Sequence, residues 1–258
     1  MILIQFIADY GKKDPAFAEV MQRLMMEVPS AVISEISVSP FSTEETGFWI
    51  AQLALAKHPE GMIVYSNTAP RKDKLEGREK NAGEGLVYAK LKNGVEVVAV
   101  NSGYSMSMLK QDIVELWEVD VDNDGTQFRS RDNYPQIVGK IARKDYSCLK
   151  TQLNPLELAD YPVGIVVAID GYGNIKTSWT ADKFTFVPGD KVKVKIGNQE
   201  MSAFYADGTF SVKDGEISFA PGSSGHYGRL MEVFLRGGSA SNLYSGVKPG
   251  DKVEVSLA

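Results

Sequence analysis

Polar and apolar positions divide the chain into two halves of different rhythm. Ile2 to Ala8 is an unbroken apolar run, the pattern of a strand covered on both faces. Asp14-Pro15 then predicts a helix start, with Asp as N-cap and Pro at the first helical position. Phe17, Val20, Met21, Leu24 and Val28 recur behind it at helical spacing and read as core. Ala31 to Ser37 reads as a second strand. Ser42 and Glu45 form a capping box ahead of a helix through Ala56. Residues 62–66 and 95–101 read as further strands, and 105–116 as a further helix. Such alternation predicts an α/β domain, a mostly parallel sheet with helices on both faces. Ligands of such sheets bind outside the carboxyl ends of the strands, which places Asp9, Asn67 and Asn101 near a site.

The rhythm changes near residue 155. Short β runs at 164–169, 191–196, 202–205, 209–212, 216–219, 230–235 and 252–257 are separated by Gly, Asp and Asn, the signal of an all-β barrel or sandwich. Asn154-Pro155 and Tyr161-Pro162 punctuate a linker. The expected division is an α/β domain over 1–155 and an all-β domain over 156–258.

Composition narrows the classes. The 258 residues carry 28 Lys+Arg against 33 Asp+Glu, a net charge of −5, which argues against broad nucleic-acid binding. No apolar run approaches the roughly 18–20 residues of a membrane span, and the apolar N-terminus meets Asp9 without a basic flank, unlike a signal peptide. One cysteine, Cys148, forms no internal disulfide, so a cytoplasmic protein is expected. With two histidines, His58 and His226, beside it, no metal site is expected. Asp120-Val-Asp122-Asn-Asp124-Gly125 opens like a calcium loop, but position twelve is Arg131 rather than Glu, so it reads as a solvated acidic turn. The glycine pairs near 222–225 and 237–238 fit neither phosphate-loop nor dinucleotide spacing.

Four local patterns occur in order: Ala8-Asp9-Tyr10-Gly11 with Asp14; Pro59-Glu60-Gly61 before a strand that ends at Pro70; Thr126-Gln-Phe128-Arg129-Ser130-Arg131-Asp132; and Ala168-Ile169-Asp170-Gly-Tyr172-Gly173-Asn174. With the closing Gly250-Asp251-Lys252-Val253, the chain resembles the S-adenosylmethionine (SAM) hydrolases, or SAM hydroxide adenosyltransferases, a family that includes the adenosyl fluorinases and chlorinases. The resemblance implies cleavage of SAM by attack of water at C5′, giving adenosine and methionine. It implies no cofactor beyond SAM itself as substrate, and a homotrimer with the site between subunits. Asp9 then matches the carboxylate that holds the ribose hydroxyls, and Phe41 an aromatic that packs on the nucleoside. Phe128 and Ser130 match the segment lining the C5′ pocket. Asp170 and Asn174 match groups that hold the methionine end, with Tyr172 where Phe is common. The segment from Arg236 to Ala240 would meet the adenine through backbone groups.

The departures bear on catalysis. The family's Asp-Pro-Gly-Val-Gly motif reads Thr68-Ala69-Pro70-Arg71 here, so Ala69 stands at the Asp position. A His expected beside Phe128 is Arg129, and the Arg of the same polar triad falls in a poorly matched loop, where Arg78 is the candidate and Asp73 a candidate replacement acid. Two alternatives therefore accompany the hydrolase reading. One is an adenosyl-ligand binder that has lost catalysis. The other is an enzyme that uses a halide at C5′, which needs donors such as Ser130 but no base.

Overall fold

The computed structural model describes residues 1–70, 84–122 and 126–258. The chain forms two compact units, Met1–Tyr161 and Pro162–Ala258, so the division falls at the second of the two proline dipeptides.

The first unit is built on a seven-stranded sheet. Its strands are β1 (Ile2–Ala8), β2 (Ala31–Ser37), β3 (Ile63–Asn67), β4 (Leu86–Leu91), β5 (Glu96–Val100), β6 (Ile113–Val119) and β7 (Leu149–Gln152), in the order β2-β1-β3-β5-β4-β6-β7. The first four in that order run parallel, so Ala8, Ser37, Asn67 and Val100 end along one edge. The other three continue antiparallel. The sheet is therefore mixed rather than mostly parallel. Residues 105–116 are also not a helix: a short 3₁₀ turn, Ser107–Leu109, leads directly into β6. Met106, Leu109, Ile113 and Leu116 are all buried on one side of the sheet, and their three- to four-residue spacing imitates a helix.

Among the described residues four helices complete the unit: α1 (Pro15–Glu27), α2 (Thr43–Ala54), α3 (Arg129–Asp132) and α4 (Tyr134–Ala142). Asp14 caps α1 by accepting the Ala16 N–H at 2.9 Å, and Ser42 caps α2 through the Glu45 N–H at 3.2 Å. Helices cover both faces. Phe17, Val20 and Leu24 of α1 and Ile137 and Ile141 of α4 pack with Phe6 and Tyr65 on one side. Ile50, Ala51 and Ala54 of α2 pack with Ile7, Val64 and Val97 on the other. Strands whose side chains are buried on both faces need an unbroken apolar run, which is why Ile2–Ala8 has one.

The second unit is all-β. Its strands are β8 (Val166–Ile169), β9 (Ile175–Thr180), β10 (Lys191–Ile196), β11 (Gln199–Tyr205), β12 (Ile217–Pro221), β13 (Leu230–Leu235) and β14 (Val253–Leu257), in the order β14-β10-β11-β12-β13-β9-β8. The sheet curls until its ends meet. An Ile165–Lys252 bridge and bonds from Val253 N to Gly164 O (2.7 Å) and Val166 N to Asp251 O (2.8 Å) join them. In β10, Val192, Val194 and Ile196 face the interior while Lys191, Lys193 and Lys195 face outward, the period-two pattern of a half-buried strand. Residues 209–212 form a 3₁₀ turn, Thr209–Ser211, instead of a strand.

No helix among the described residues is long and apolar enough to cross a membrane.

Candidate functional site

The carboxyl edge of the parallel strands carries the densest group of sequence-nominated residues. Asp9 follows β1, and its Oδ2 accepts the backbone N–H of Phe41 at 2.9 Å. That bond holds Phe41 in the left-handed region, at φ 62°, where a residue with a side chain is strained. Phe41 is 54% exposed, an apolar surface kept open beside a carboxylate. Ser42, next in the chain, caps α2, so the strained residue is fixed between a strand end and a helix start.

Tyr10 connects this corner to the segment before α4. Its hydroxyl donates to Ser130 Oγ at 2.5 Å, and its ring meets Phe128 edge-on at 5.7 Å. The Tyr65 hydroxyl donates to the Ser130 backbone carbonyl at 3.1 Å. Ser130 itself is buried. Burial pushes the Tyr10 phenol well above its usual range; the Ser130 bond opposes the shift, the charges of Asp9 and Tyr134 add to it, and a bond from Asn67 opposes it. Tyr10 is therefore a protonated donor at any physiological pH. The end of β3 is pinned independently: Thr46 Oγ1 donates to Thr68 Oγ1 at 2.8 Å and Ser102 Oγ to the Thr68 carbonyl at 2.6 Å.

The fold thus gathers Asp9, Phe41, Phe128 and Ser130 around Tyr10. Arg129 faces a different group: its guanidinium lies 5.6 Å over the Tyr134 ring and reaches the Glu84 carbonyl at 3.5 Å. Asn67 joins the Tyr10 group, whereas the Asn101 backbone bonds Gly85. Ala69 packs partly buried against the core and offers no polar atom on its side chain. Arg78 and Asp73 lie outside the described residues. Two participants, Tyr10 and Tyr65, are not nominated by the sequence. Tyr10 stands beside Asp9 in a motif that carries the family resemblance; Tyr65 is hidden inside an apolar strand.

The second unit places its nominees on two touching turns. Asp170 Oδ1 accepts from the backbone N–H groups of Tyr172 (2.9 Å) and Asn174 (3.0 Å), and Oδ2 from Asn174 Nδ2 (2.9 Å). Between them Gly173 sits at φ 81°, and a Cβ there would meet Ser239 Oγ at 2.0 Å. The Gly173 carbonyl accepts from Ser241 N at 2.9 Å, which ties the 170–174 turn to the 239–241 turn. Tyr172 projects from it, 83% exposed. Ala240 is fully buried in the core. The Arg236 guanidinium is turned to the Val212 and Phe210 carbonyls. Beneath the turn lies a buried ion pair, Lys176 Nζ to Glu232 Oε1 at 2.9 Å, with Asp170 Oδ2 at 3.7 Å from the same ammonium.

Among the described residues no group of three or more His, Cys, Asp or Glu side chains is placed to hold a metal. In the acidic 120–125 stretch, Asp120 pairs with Lys150 at 2.8 Å, and 123–125 lie outside the described residues.

Solved structures share this architecture. An uncharacterized conserved protein from Thermotoga maritima superposes with a TM-score of 0.77 at 22% identity, over 98% of this chain and 99% of that one. A conserved hypothetical protein from Thermus thermophilus gives 0.69 at 20% identity, over 99% and 100%. Both likenesses are to the fold. No curated protein matches the chain. Residues 164–254 match the SAM hydroxide adenosyltransferase C-terminal domain. That match spans β8 to the start of β14, including the Asp170–Asn174 turn and the Arg236–Ala240 segment. Residues 164–254 are therefore similar to the C-terminal domain of the SAM hydroxide adenosyltransferases, and the rest of the chain is similar to these solved structures in fold.

Proposed function

We propose that the protein binds SAM and transfers its adenosyl group at C5′ to water, releasing adenosine and methionine. The observation that carries this is the SAM hydroxide adenosyltransferase match over residues 164–254. The cluster at the strand edge of the first unit supports it. Asp9 supplies a carboxylate suited to a ribose diol, because two acceptor oxygens match two hydroxyl donors. The exposed Phe41 ring supplies an apolar platform for the base, and Phe128 and Ser130 supply a wall and a donor for the reacting carbon. In the second unit Asp170, Tyr172 and Asn174 take the methionine end, and the backbone from Arg236 to Ala240 takes the adenine. Arg129 stands where the family pattern has a His beside the reacting segment, and Arg78 is the candidate for the pattern's Arg. We assign the active species to a homotrimer with its site between subunits, in the cytoplasm.

The reaction asks for few groups. The sulfonium is a good leaving group, so no acid is needed at sulfur. Alignment of the nucleophile with the C5′–S bond and exclusion of bulk water are the main demands. No metal and no cofactor enter this scheme.

A second reading, a binder without turnover, is favoured by two features. Ala69 has no group that activates water, and Arg129 carries a guanidinium, which holds its proton and makes a poor base. Incubation of the purified protein with SAM, with and without chloride, separates the readings. Adenosine and methionine support the proposal; 5′-chloro-adenosine indicates a halide-using enzyme. Tight binding without turnover establishes the binder, and no heat with SAM or adenosine refutes the nucleoside reading.

A further inference from the structure

We propose that Tyr10 is a positioning residue for the attacking nucleophile: its hydroxyl fixes Ser130 Oγ as an acceptor, so that the Ser130 O–H is aimed forward as a donor to the water that attacks C5′. The inference rests on the adenosyl-transfer reading above and adds to it a group at the end of β1, 120 residues from Ser130 in sequence and in contact with it in the fold.

Three observations carry it. First, the Tyr10 ring cannot adjust. It meets Phe6 at 6.1 Å, Phe17 at 5.2 Å and Phe128 at 5.7 Å, all edge-on, so its hydroxyl occupies one place. Secondly, that hydroxyl lies 2.5 Å from Ser130 Oγ across 120 residues of sequence. A serine hydroxyl that accepts one proton still has its own to donate, and here the acceptor side is taken. Thirdly, Ser130 is held from its other end as well, by the Tyr65 hydroxyl on its carbonyl at 3.1 Å. Two tyrosines, one just after β1 and one within β3, thus fix both the backbone and the Oγ of one buried serine. Pinning a loop to the sheet needs only the carbonyl bond; the second bond fixes the hydroxyl's direction. The raised pKa of Tyr10 keeps the relay protonated, and Asn67 extends it by one more donor.

In the reaction, the water oxygen forms the new bond to C5′ as the C5′–S bond breaks. The electron pair of that bond stays on sulfur as the neutral thioether of methionine, and the water's proton passes to solvent. Ser130 orients a lone pair of the water and takes no proton. Tyr10 acts through Ser130 alone.

The test compares the full-length wild type with Tyr10→Phe, Ser130→Ala and the double variant, following adenosine release from SAM and SAM affinity by calorimetry. Tyr10→Phe keeps the ring and its aromatic contacts. The expected result is a kcat lowered by about 10- to 100-fold with KM for SAM within about threefold, since misaimed groups cost rate rather than binding. Ser130→Ala should lose a similar factor, and the double variant should fall no further than Ser130→Ala, because the two hydroxyls act in series. Urea unfolding of each variant confirms that the rate loss is not a loss of folded protein. A Tyr10→Phe kcat within twofold of wild type, losses that multiply in the double variant, or a rate loss matched by the unfolded fraction would each overturn the proposal. Wild-type turnover reports on the adenosyl-transfer reading, and the variant-to-wild-type ratio on Tyr10. Binding without turnover in the wild type refutes both.

Discussion

Replacing Asp9 with Asn isolates the ligand role of one carboxylate from its structural role. Asp9 Oδ2 accepts the Phe41 N–H at 2.9 Å, and an Asn carboxamide retains one oxygen for that bond. The second acceptor becomes an NH₂ donor. Facing a ribose diol, it leaves one hydroxyl without its acceptor and removes the charge from the other bond. A hydrogen bond to a charged group contributes about 1.5–3 kcal/mol, and an orphaned polar partner costs about 1–3 kcal/mol. The expected loss of adenosine affinity is therefore about 1–3 kcal/mol, or about 5- to 150-fold in Kd. Calorimetry with adenosine and with 2′-deoxyadenosine gives a cycle. The deoxy ligand lacks one of the two donors, so Asp9→Asn should weaken it less than it weakens adenosine. Folding stability, measured in urea, should change by less than about 1 kcal/mol, because the Phe41 anchor persists. Adenosine affinity within twofold of wild type, or an equal loss for both ligands, would refute the assignment.

Lys176→Met should cost about 3–5 kcal/mol of folding stability, because it leaves the Glu232 charge buried without its cation; adding Glu232→Leu should recover most of that loss in equilibrium unfolding. A double variant as unstable as the single one would contradict the pairing. Asp132 is held down to a pKa of about 2, chiefly by its bonds from Arg131 and Thr126. Its folded value lies below the unfolded one, so its contribution is full above about pH 4 and is lost as pH falls through about 2. Urea midpoints of Asp132→Asn should therefore lose part of the wild-type decline between those limits, and an unchanged slope would remove Asp132 from the acid response.

How far the sequence is legible follows from where each element's partners lie. Helix starts are local: Asp14-Pro15 and Ser42 with Glu45 carry their capping chemistry within four residues, and both caps form. Strand β9 escapes the sequence pattern for the opposite reason. Ile175–Thr180 reads IKTSWT, too polar for a buried strand, yet Lys176, Thr177 and Ser178 are buried. Their polarity is satisfied by distant groups, Glu232 for Lys176 and the Met231 carbonyl for Thr177. No window along the chain contains those partners. The false helix at 105–116 has the same origin, since helical spacing there reflects a turn and a strand packing on a shared face. At the site, the family resemblance points to Asp9, Phe41, Phe128 and Ser130, but the tyrosine that joins them is defined by a contact across 120 residues. Motifs supply the carboxylate and the serine; the direction of the serine hydroxyl is a property of the fold.

Phe41 carries a conflict between persistence and recognition. Its left-handed backbone costs about 1–3 kcal/mol for a residue with a side chain and almost nothing for glycine. Its ring is the apolar platform that the proposed nucleoside site requires. Phe41→Gly is thus expected to raise the melting temperature while lowering retention of the nucleoside. A laboratory selection by heat alone would drift toward glycine at this position and discard binding. A selection by ligand would keep the strained ring.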